Sequence, residues 1–373
     1  MNRPQLLSMY EAELLEAVGG GFRAKQVLEW VRRGAPFSEM SNLPKALREE
    51  LEEKFISNPV TIREAIQEGE TEKYLYALPD ENIIEGVKLK YHYGSTLCVS
   101  TQVGCAMGCA FCASTLDGCV RNLTAGEMLG QIVAVNRRLE PSGDKLRNAV
   151  LMGSGEPLAN YDNTVKFLRL LREYGMSLRG VSLSTCGLAD RMRAFAEEDL
   201  PITLCVSLHA PNDEIRKRIM PVARTYAMDD VIDACRNYVG KTGRRVIFEY
   251  TMIDNVNCSL ANADELASRL RGLQCHVNLI PLNPVKERNM KAPSLRDQDA
   301  FMHRLEQKRV SVTRRRALGS EIEGACGQLR RARTGASFAP TRPASGAPRT
   351  GSNSPRTGAS RAPMRRAIQD PDE

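Results

Sequence analysis

The sequence lacks any apolar run close to the roughly 20 residues that a membrane-spanning helix requires. It also lacks a signal-peptide-like opening segment, and its 11 cysteines are spread over 373 residues. Small secreted proteins held together by disulfides concentrate their cysteines in short chains instead. We therefore expect a soluble protein of the reducing cytoplasm, long enough for one large domain and a smaller one.

Excess positive charge is nearly absent outside the C-terminal tail. Of the net charge of +7, residues 330–373 contribute +6 through nine arginines and three acidic residues, which leaves +1 for the rest. Any RNA-binding face on the folded part must then come from local clusters of charge. The tail is rich in Pro, Gly, Ser, Ala, Thr and Arg, so we expect it to be disordered. Nonspecific RNA affinity and a dispensable extension are both compatible with its composition.

Three neighbouring cysteines stand without the fourth ligand that a zinc site or a ferredoxin would need. Cys105, Cys109 and Cys112 have the spacing C-x3-C-x2-C, and the nearest spare ligands, His92 and Cys119, do not continue it. Structural zinc takes four Cys or His ligands, and an electron-carrying cluster takes four thiolates. Three thiolates can hold three irons of a 4Fe–4S cluster and leave the fourth iron open to a small ligand. The alternative is three buried or incidental cysteines.

The first 90 residues predict helices followed by strands. Apolar residues recur at helical spacing in Leu6–Val18, Phe22–Val31 and Leu43–Phe55, so residues 1–57 are expected to form a small helical accessory domain. Trp30 lies on an apolar face, which favours core packing over base stacking. Because acidic and basic residues nearly balance here, our hypothesis is that this domain contacts structured RNA by shape, with a few placed Arg or Lys. Residues 58–90 are rich in β-branched and aromatic residues and predict strands that lead into the next domain.

Residues 91–329 alternate between short apolar runs and helical patterns, such as that of Ala125–Leu139, which predicts an α/β fold. The six runs are Thr96–Thr101, Ala149–Met152, Gly180–Ser184, Ile202–Leu208, Arg245–Met252 and His276–Leu282. Such βα units form a parallel sheet with right-handed crossovers. Six units close only part of a barrel, so we expect a partial (β/α)6 TIM-like barrel with functional residues at the carboxyl ends of the strands.

Polar residues follow several of these predicted strands. The segment Gly153-Ser154-Gly155-Glu156-Pro157 follows the second strand, where glycines admit a ligand close to the backbone and a carboxylate can accept bonds from an ammonium group. Taken alone, such a segment is more typical of a plain turn. Further polar residues stand at the ends of later strands: Ser184, Ser207, His209 and Asn283. His209 alone would more often be a satisfied core histidine, but the recurrence predicts a shared pocket.

The cysteine spacing, with Phe111 directly before the last cysteine, resembles the signature of radical S-adenosylmethionine (SAM) enzymes. In that superfamily the open iron of the cluster chelates the amino and carboxylate groups of SAM. Five further segments occur in order, namely Leu97–Cys105, Arg121–Leu123, Ser207–Glu214, Asn278–Pro284 and Ala325–Leu329. Over residues 1–329 the chain thereby resembles the RlmN-type family of dual-specificity methyltransferases. These enzymes methylate carbon 2 of adenosine in the peptidyl transferase centre of 23S rRNA and 3′ of the anticodon in tRNA.

The resemblance implies roles for individual residues. Cys326 would accept a methyl group from one SAM, and a second SAM on the 4Fe–4S cluster would be split to a 5′-deoxyadenosyl radical. Cys98 would resolve the protein–RNA adduct through a transient disulfide, and Glu85 would be the proton acceptor. Without the resemblance, Cys98 would be a buried strand cysteine and Glu85 a solvated strand carboxylate. Cys105, Cys109 and Cys112 would hold the cluster, and the SAM-contacting positions would be Gly155, Glu156, Ser184, Ser207, Leu208, His209 and Asn283.

Two positions distinguish this chain from relatives. Ser154 stands where the family usually has Met, so we expect SAM binding to survive with altered packing behind the methionine moiety. Pro157 follows Glu156 where Cfr-type relatives, which methylate carbon 8, carry Ala, and this favours carbon 2. A Cfr-type carbon-8 methyltransferase is the nearest alternative. A non-catalytic iron–sulfur protein that binds RNA and a radical SAM activase of another protein are more distant ones.

The remaining expectations concern partners and the other cysteines. The resemblance implies 23S rRNA and tRNA as substrates, an electron donor such as flavodoxin or ferredoxin, and no membrane partner, and we expect a monomer. Six cysteines are assigned to packing: Cys119, Cys186, Cys205, Cys235, Cys258 and Cys275. Of these, Cys186 and Cys205 stand near strand ends, where they could approach the site.

Overall fold

The computed structural model describes residues 3–315, 319 and 321–329. Within these ranges the helices are α1 (Glu11–Ala17), α2 (Gly21–Arg32), α3 (Lys45–Lys54), α4 (Ala125–Leu139), α5 (Tyr161–Glu173), α6 (Ala189–Ala196), α7 (Asp213–Ile219), α8 (Met228–Thr242), α9 (Leu260–Arg269) and α10 (Leu295–Gln307). The strands are β1 (Thr61–Glu68), β2 (Thr71–Ala77), β3 (Ile83–Tyr91), β4 (Gly94–Cys98), β5 (Gln102–Gly104), β6 (Cys119–Asn122), β7 (Leu146–Leu151), β8 (Val181–Thr185), β9 (Thr203–Ser207), β10 (Val246–Met252), β11 (Cys275–Pro281) and β12 (Val312–Arg314). The tail that the sequence predicts to be disordered lies outside the described residues.

One ten-stranded sheet organises the chain, in the order β1-β2-β3-β4-β7-β8-β9-β10-β11-β12. Strands β1 to β4 pair antiparallel, and the strands from β4 onward pair parallel. Right-handed crossover helices are the usual way to join such parallel strands. The predicted partial barrel is confirmed, with β4 and β7–β11 as its six strands and the short β12 added beside β11. The predicted strands of residues 58–90 extend the same sheet.

A small hairpin encloses the cysteine loop, and the sequence did not predict it. β5 pairs antiparallel with β6, so the two ends of the loop are held together. Gly104 has φ +78°, and a Cβ there would lie 2.0 Å from the carbonyl oxygen of Gly118. Only glycine permits this approach of the two backbones. Because both strands are only three or four residues long, no periodic pattern marked them.

Hydrogen bonds from the first turns of helix α4 hold the segment that leads from β4 to the cysteine loop. Thr124 caps α4 by accepting a hydrogen bond of 3.0 Å from the backbone N–H of Glu127, whose carboxylate in turn accepts one of 2.9 Å from the N–H of Thr124. One turn later, Gln131 exchanges two hydrogen bonds with the backbone of Ser100, at 3.0 and 2.9 Å. The start of α4 therefore fixes the backbone that enters the site.

The N-terminal helices pack on α4. The N–H of Gly126 donates to Ser8 Oγ over 2.9 Å, and a Cβ on Gly126 would lie only 2.3 Å from that oxygen. Trp30 is half-buried against the core and donates to Asn42 over 2.7 Å. All described residues belong to one structural unit. The domain boundaries predicted near residues 57 and 90 stay predictions. Within the described ranges, no helix has the length and apolarity needed to cross a membrane.

Candidate active site

The three cysteines predicted to hold a cluster line one cleft at the carboxyl ends of the strands. The cleft has a volume of about 920 Å³, part of it open to solvent. The loop is folded back on itself, because Thr115 Oγ1 donates to the carbonyl oxygens of both Cys109 and Cys112, over 3.1 and 2.9 Å. The N–H of Cys105 donates to Gly118 over 2.9 Å. The three thiols are thus held at one site by the protein itself.

The chemistry of this donor set fits an iron–sulfur cluster better than a single metal ion. Burial raises the pKa of all three thiols, that of Cys105 to about 12, and the neighbouring thiols of Cys112 and Cys105 raise that of Cys109 further. In the described part of the chain, no three His, Cys, Asp or Glu side chains are placed to hold one metal ion. A 4Fe–4S cluster instead spreads its thiolates over separate irons. Binding it would displace the thiol protons.

The glycine-rich loop after β7 lies against the segment that follows β4. A Cβ on Gly153 would lie 2.7 Å from the backbone nitrogen of Ser100. Gly155 has φ +109°, and a Cβ there would lie 2.7 Å from the nitrogen of Gln102. Both glycines are therefore required by the close approach of two backbones. The loop brings Glu156 to the cleft.

Glu156 is buried and held by backbone N–H groups. Its two carboxylate oxygens accept hydrogen bonds from Leu158 over 3.0 Å and from Cys186 over 2.7 Å. Burial raises its pKa, and these hydrogen bonds oppose the rise. The side chains of Thr185 and Cys186 also hydrogen-bond to this carboxylate and lower its pKa. Because a carboxylate offers about four acceptor sites, an ammonium group in the cleft would compete with these side chains for Glu156.

The structure brings six of the seven predicted SAM-contacting residues to this cleft: Gly155, Glu156, Ser184, Ser207, His209 and Asn283. The hydroxyls of Ser184 and Ser207, on adjacent strands, lie 3.4 Å apart. Leu208 differs, because its side chain is fully buried in the apolar core. It offers the site only its backbone, whose N–H bonds to the carbonyl oxygen of Glu249 over 3.1 Å.

His209 is a neutral hydrogen-bonding group at this site. Its Nδ1 accepts a hydrogen bond of 2.9 Å from the N–H of Thr251, so the ring proton belongs on Nε2. Burial, with a smaller contribution from Arg216, lowers its pKa to about 3. The edge of its ring meets Phe111 of the cysteine loop, with centroids 4.8 Å apart. His209 can donate a hydrogen bond through Nε2 but does not titrate near neutral pH.

Cys326 and Cys98 meet in a second cavity of about 660 Å³, next to the cleft. Cys326 is exposed and lines both spaces, whereas Cys98 lines the second cavity only. Burial and the nearby Cys326 raise the pKa of Cys98 to about 12, and Arg315 opposes this rise. The two cysteines stand 228 positions apart in the sequence, and the fold brings them together.

Residues 321–329, here called the carrier segment, are anchored to both sides of the cleft. Four hydrogen bonds join it to the cysteine loop and to the turn after β11: Ala113 N to Gly327 O (2.7 Å), Ser114 Oγ to Leu329 O (2.6 Å), Asn283 Nδ2 to Cys326 O (3.0 Å) and Gln328 Nε2 to Pro284 O (2.9 Å). All but the last use backbone carbonyls of the segment. The segment thus spans the cleft beside the cysteine loop.

Ser154, expected from the sequence to depart from the family pattern, lines neither cavity. It is buried, and its hydroxyl lies 3.1 Å from that of Ser114, which donates to the carrier segment at Leu329. Its N–H donates to Ser100 Oγ over 2.9 Å. The serine therefore bears on how the glycine-rich loop contacts the carrier segment.

Glu85 occupies an unexpected environment. Strand β3 lies between β2 and β4, so the side chain is fully buried rather than solvated. Its carboxylate pairs with Lys73 Nζ at 3.0 Å, and it lines neither cavity directly. Val87 and Leu89, on the same face of β3, do line the cavity of Cys98. Its role as proton acceptor stays a prediction.

Two charged residues at the site had no motif to mark them. Glu249 and Arg315 both line the cleft and lie 3.7 Å apart, and Asn278 donates to Glu249 over 3.2 Å. The nearby Cys326 and then Glu249 raise the pKa of Arg315. A lone acid inside the apolar strand β10 was the only signal available in the sequence. Cys186 also lines the cleft, whereas Cys205 is buried outside it.

Comparison with known proteins agrees with this geometry. Residues 99–259 match the Radical SAM superfamily, and residues 7–56 match the ribosomal RNA large subunit methyltransferase N-terminal domain. The probable dual-specificity RNA methyltransferase RlmN of Alkaliphilus oremlandii is 49% identical over 341 residues, which cover 89% of this chain and 98% of that protein. The corresponding protein of Clostridium tetani is 48% identical, covering 83% and 90%.

A solved structure shares this architecture over most of the chain. The crystal structure of a radical SAM methyltransferase from Sphaerobacter thermophilus is 44% identical and matches with a TM-score of 0.85, covering 87% of this chain and 99% of that one. Identity of this extent over nearly the full length of the relatives shows the family. The chain therefore belongs to the RlmN family of dual-specificity radical SAM RNA methyltransferases.

Proposed function

We propose that this protein methylates carbon 2 of adenosine in 23S rRNA and in tRNA, with Cys326 as the methyl carrier. One observation carries the proposal: Cys326 lines both the cleft of the three cluster cysteines and the cavity of Cys98. A carrier thiol must receive its methyl group beside SAM and later meet a resolving thiol. The names of the relatives, dual-specificity RNA methyltransferases, support RNA as the substrate.

The cluster would be held by Cys105, Cys109 and Cys112. SAM would bind beside it to Glu156, Ser184, Ser207 and His209. A cluster held there would supply the electron that splits SAM into methionine and a 5′-deoxyadenosyl radical, and would take up one electron once the RNA adduct has formed. We propose a flavodoxin or a ferredoxin as the donor that reduces it.

Cys326 acts first as a nucleophile and then as a one-carbon radical. Its thiolate attacks the methyl group of one SAM, so an S–CH3 bond forms and S-adenosylhomocysteine leaves. The methylated Cys326 then loses a hydrogen atom to the 5′-deoxyadenosyl radical of a second SAM. Its methylene radical adds to carbon 2 of adenine, which is electron-poor and resists ordinary polar methylation. Protein and RNA are then joined covalently.

Glu85 and Cys98 release the product. Glu85 accepts the proton from carbon 2 of the adduct. The thiolate of Cys98 attacks the sulfur of Cys326, a disulfide forms, and the electron pair of the broken C–S bond passes to the methylene carbon. That carbon takes up a proton and becomes the methyl group. Burial raises the pKa of Cys98 and so disfavours the thiolate that this step needs. The nearby Arg315 cation opposes this rise and favours the thiolate.

Carbon 2 is preferred to carbon 8 for two reasons. Pro157 follows Glu156 where carbon-8 enzymes carry Ala, and the similar proteins named above are of the RlmN type. The position is tested by comparing the modified nucleoside with 2-methyladenosine and 8-methyladenosine standards. Finding 8-methyladenosine as the sole product would overturn the assignment.

The whole proposal is tested by mass spectrometry of nucleosides from 23S rRNA and tRNA of cells with and without the gene. We expect 2-methyladenosine to disappear from both pools and to return with the wild-type gene but not with Cys326→Ala. Unchanged 2-methyladenosine in cells without a redundant enzyme would refute the substrate. Restoration by Cys326→Ala would refute the carrier role and favour a different mechanism.

A further inference from the structure

A buried lysine connects the proposed proton acceptor with the carrier segment. Lys73 lies on β2 with 1% of its side chain exposed, and its Nζ lies 3.0 Å from the Glu85 carboxylate. The same ammonium group donates a hydrogen bond of 3.1 Å to the carbonyl oxygen of Glu323. Glu323 stands three residues before Cys326. One cation therefore contacts both Glu85 and the segment that carries the methyl-accepting thiol.

The carrier segment lies directly on the strand that bears Glu85. A Cβ on Gly324 would lie 3.3 Å from Cγ2 of Val87, which is two residues beyond Glu85 on the same face of β3. Val87 lines the cavity that Cys98 and Cys326 share. Glu85 is thus the next side chain on that face of β3, although it does not itself line the cavity. The contact from Lys73 uses the backbone of Glu323, so it depends on the position of the segment.

This arrangement is costly if it serves the fold alone. Removing two charges from water costs several kcal/mol per ion, and replacing a buried pair by apolar residues is often neutral or stabilising. The neighbouring pair on the same two strands, Lys88 with Glu72 at 3.3 Å, is less deeply buried at 15% and 9%. In the described ranges, no hydrogen bond or ion pair joins Lys88 to the carrier segment. Only the deeper pair reaches the site.

We propose that Lys73 is a positioning residue that keeps Glu85 ionised. Because Lys73 also bonds to the carrier segment, Glu85 is ready to accept a proton only when that segment is docked. The inference rests on the proposed role of Glu85. In that step the C2–H bond of the adduct breaks, the proton passes to the Glu85 carboxylate, and the electron pair stays in the adenine ring. An iron–sulfur cluster held by Cys105, Cys109 and Cys112 would take up the ring's unpaired electron. Once Glu85 is neutral, the ammonium group keeps the Glu323 carbonyl as a partner.

The test compares Lys73→Met, Glu85→Gln and Lys88→Met in the full-length, cluster-loaded enzyme with a tRNA substrate. Three products are measured: methylated Cys326 by mass spectrometry, covalent protein–RNA adduct on denaturing gels, and released methylated tRNA. We expect Lys73→Met to methylate Cys326 within about twofold of wild type, accumulate adduct, and release product at least tenfold more slowly. Glu85→Gln should behave the same way, and Lys88→Met should release product as wild type does.

The outcomes separate the inference from the proposed function. Product release by Glu85→Gln at the wild-type rate would refute the proton acceptor, and the inference with it. Adduct accumulation in Glu85→Gln but normal release by Lys73→Met would refute only the inference. Equal loss of Cys326 methylation and of product release in Lys73→Met would make Lys73 merely structural. Lys73→Met removes the Lys73 cation from the buried Glu85 carboxylate. If this variant does not fold, Lys73→Gln replaces it, because glutamine keeps N–H donors without the charge. The expectations for Lys73→Gln are the same.

Discussion

The side-chain amide of Asn283 donates a hydrogen bond of 3.0 Å to the carbonyl oxygen of Cys326. Asn283 stands just beyond the carboxyl end of β11 and lines the cleft proposed to bind SAM. The hydrogen bond therefore links one side chain of the SAM cleft to the backbone of the proposed methyl carrier. Loss of this donor should affect the first methyl transfer directly.

We expect Asn283→Asp to slow the methylation of Cys326. An aspartate of equal size cannot donate to the carbonyl oxygen, and the loss of one such bond is worth about 1–3 kcal/mol, or roughly 5- to 150-fold. Single-turnover methylation of Cys326 at saturating SAM measures the effect, with SAM affinity measured separately. Wild-type rates at saturating SAM would show that the hydrogen bond does not position the thiol.

The two functional cysteines should fail in different ways. Cys326→Ala is expected to abolish RNA methylation while leaving the cluster bound, because Cys326 is not among the three cluster cysteines. Cys98→Ala should trap the covalent protein–RNA adduct, since no thiol remains to form the disulfide. Iron content, denaturing gels and nucleoside analysis measure the three properties. Free methylated RNA from Cys98→Ala at the wild-type rate would refute the resolving role.

Gly155→Ala should disrupt the glycine-rich loop after β7 much more than Gly143→Ala disturbs its own turn. Both glycines have positive φ, +109° and +69°, but a Cβ meets the backbone of Gln102 at 2.7 Å only in the first case. A Cβ on Gly143 has nothing within 4 Å. Backbone strain costs about 1–3 kcal/mol, and the φ of Gly155 lies outside the left-handed region that other residues adopt, so both strain and the clash weigh against Gly155→Ala.

Equilibrium SAM binding and chemical unfolding measure this difference. We expect Gly155→Ala to lose at least tenfold in SAM affinity, while Gly143→Ala binds SAM as wild type does. Equal SAM affinity in the two variants would mean that the loop relaxes around the added methyl group.

The burial of His209 should make the protein lose stability as the pH falls below neutral. Its pKa of about 3 in the folded protein lies below the ordinary value of 6.5. Between these two pH values the unfolded chain binds a proton at His209 that the folded protein does not bind. This contribution is fully present above pH 6.5 and declines toward pH 3, by up to about 1.4 kcal/mol per pH unit.

His209→Asn should remove that part of the pH dependence. Asn tolerates the φ of +56° at this position and can accept from Thr251, but it does not titrate. Urea unfolding of the cluster-free protein at pH 7.5, 6, 5 and 4 gives the slope of the free energy of unfolding. In the variant we expect this slope to be shallower by up to about 1.4 kcal/mol per pH unit, which corresponds to the uptake of one proton. Identical slopes would show that His209 becomes protonated in the folded state.

Local patterns were sufficient for most of the barrel. The helix predicted at Ala125–Leu139 has those bounds in the structure, because its apolar periodicity coincides with the capping pair Thr124 and Glu127. The predicted helix Leu6–Val18 instead divides into a short turn, Leu6–Ser8, and α1. The N–H of Tyr10 bonds to the Glu13 carboxylate over 2.9 Å, which starts a new helix there. Apolar spacing alone does not record such a restart.

The sequence by itself determined the alternation of strands and helices, the cysteine spacing and the order of the family motifs, since each depends on neighbours in the chain. Tertiary structure alone decided that Cys326 reaches both cavities, that Glu85 is buried against Lys73, and that Arg315 lies beside Glu249. These pairs are separated by up to 228 residues or join strands whose register no local pattern encodes. Their physical cause is the packing of one curved sheet, which brings distant strand ends to a common edge.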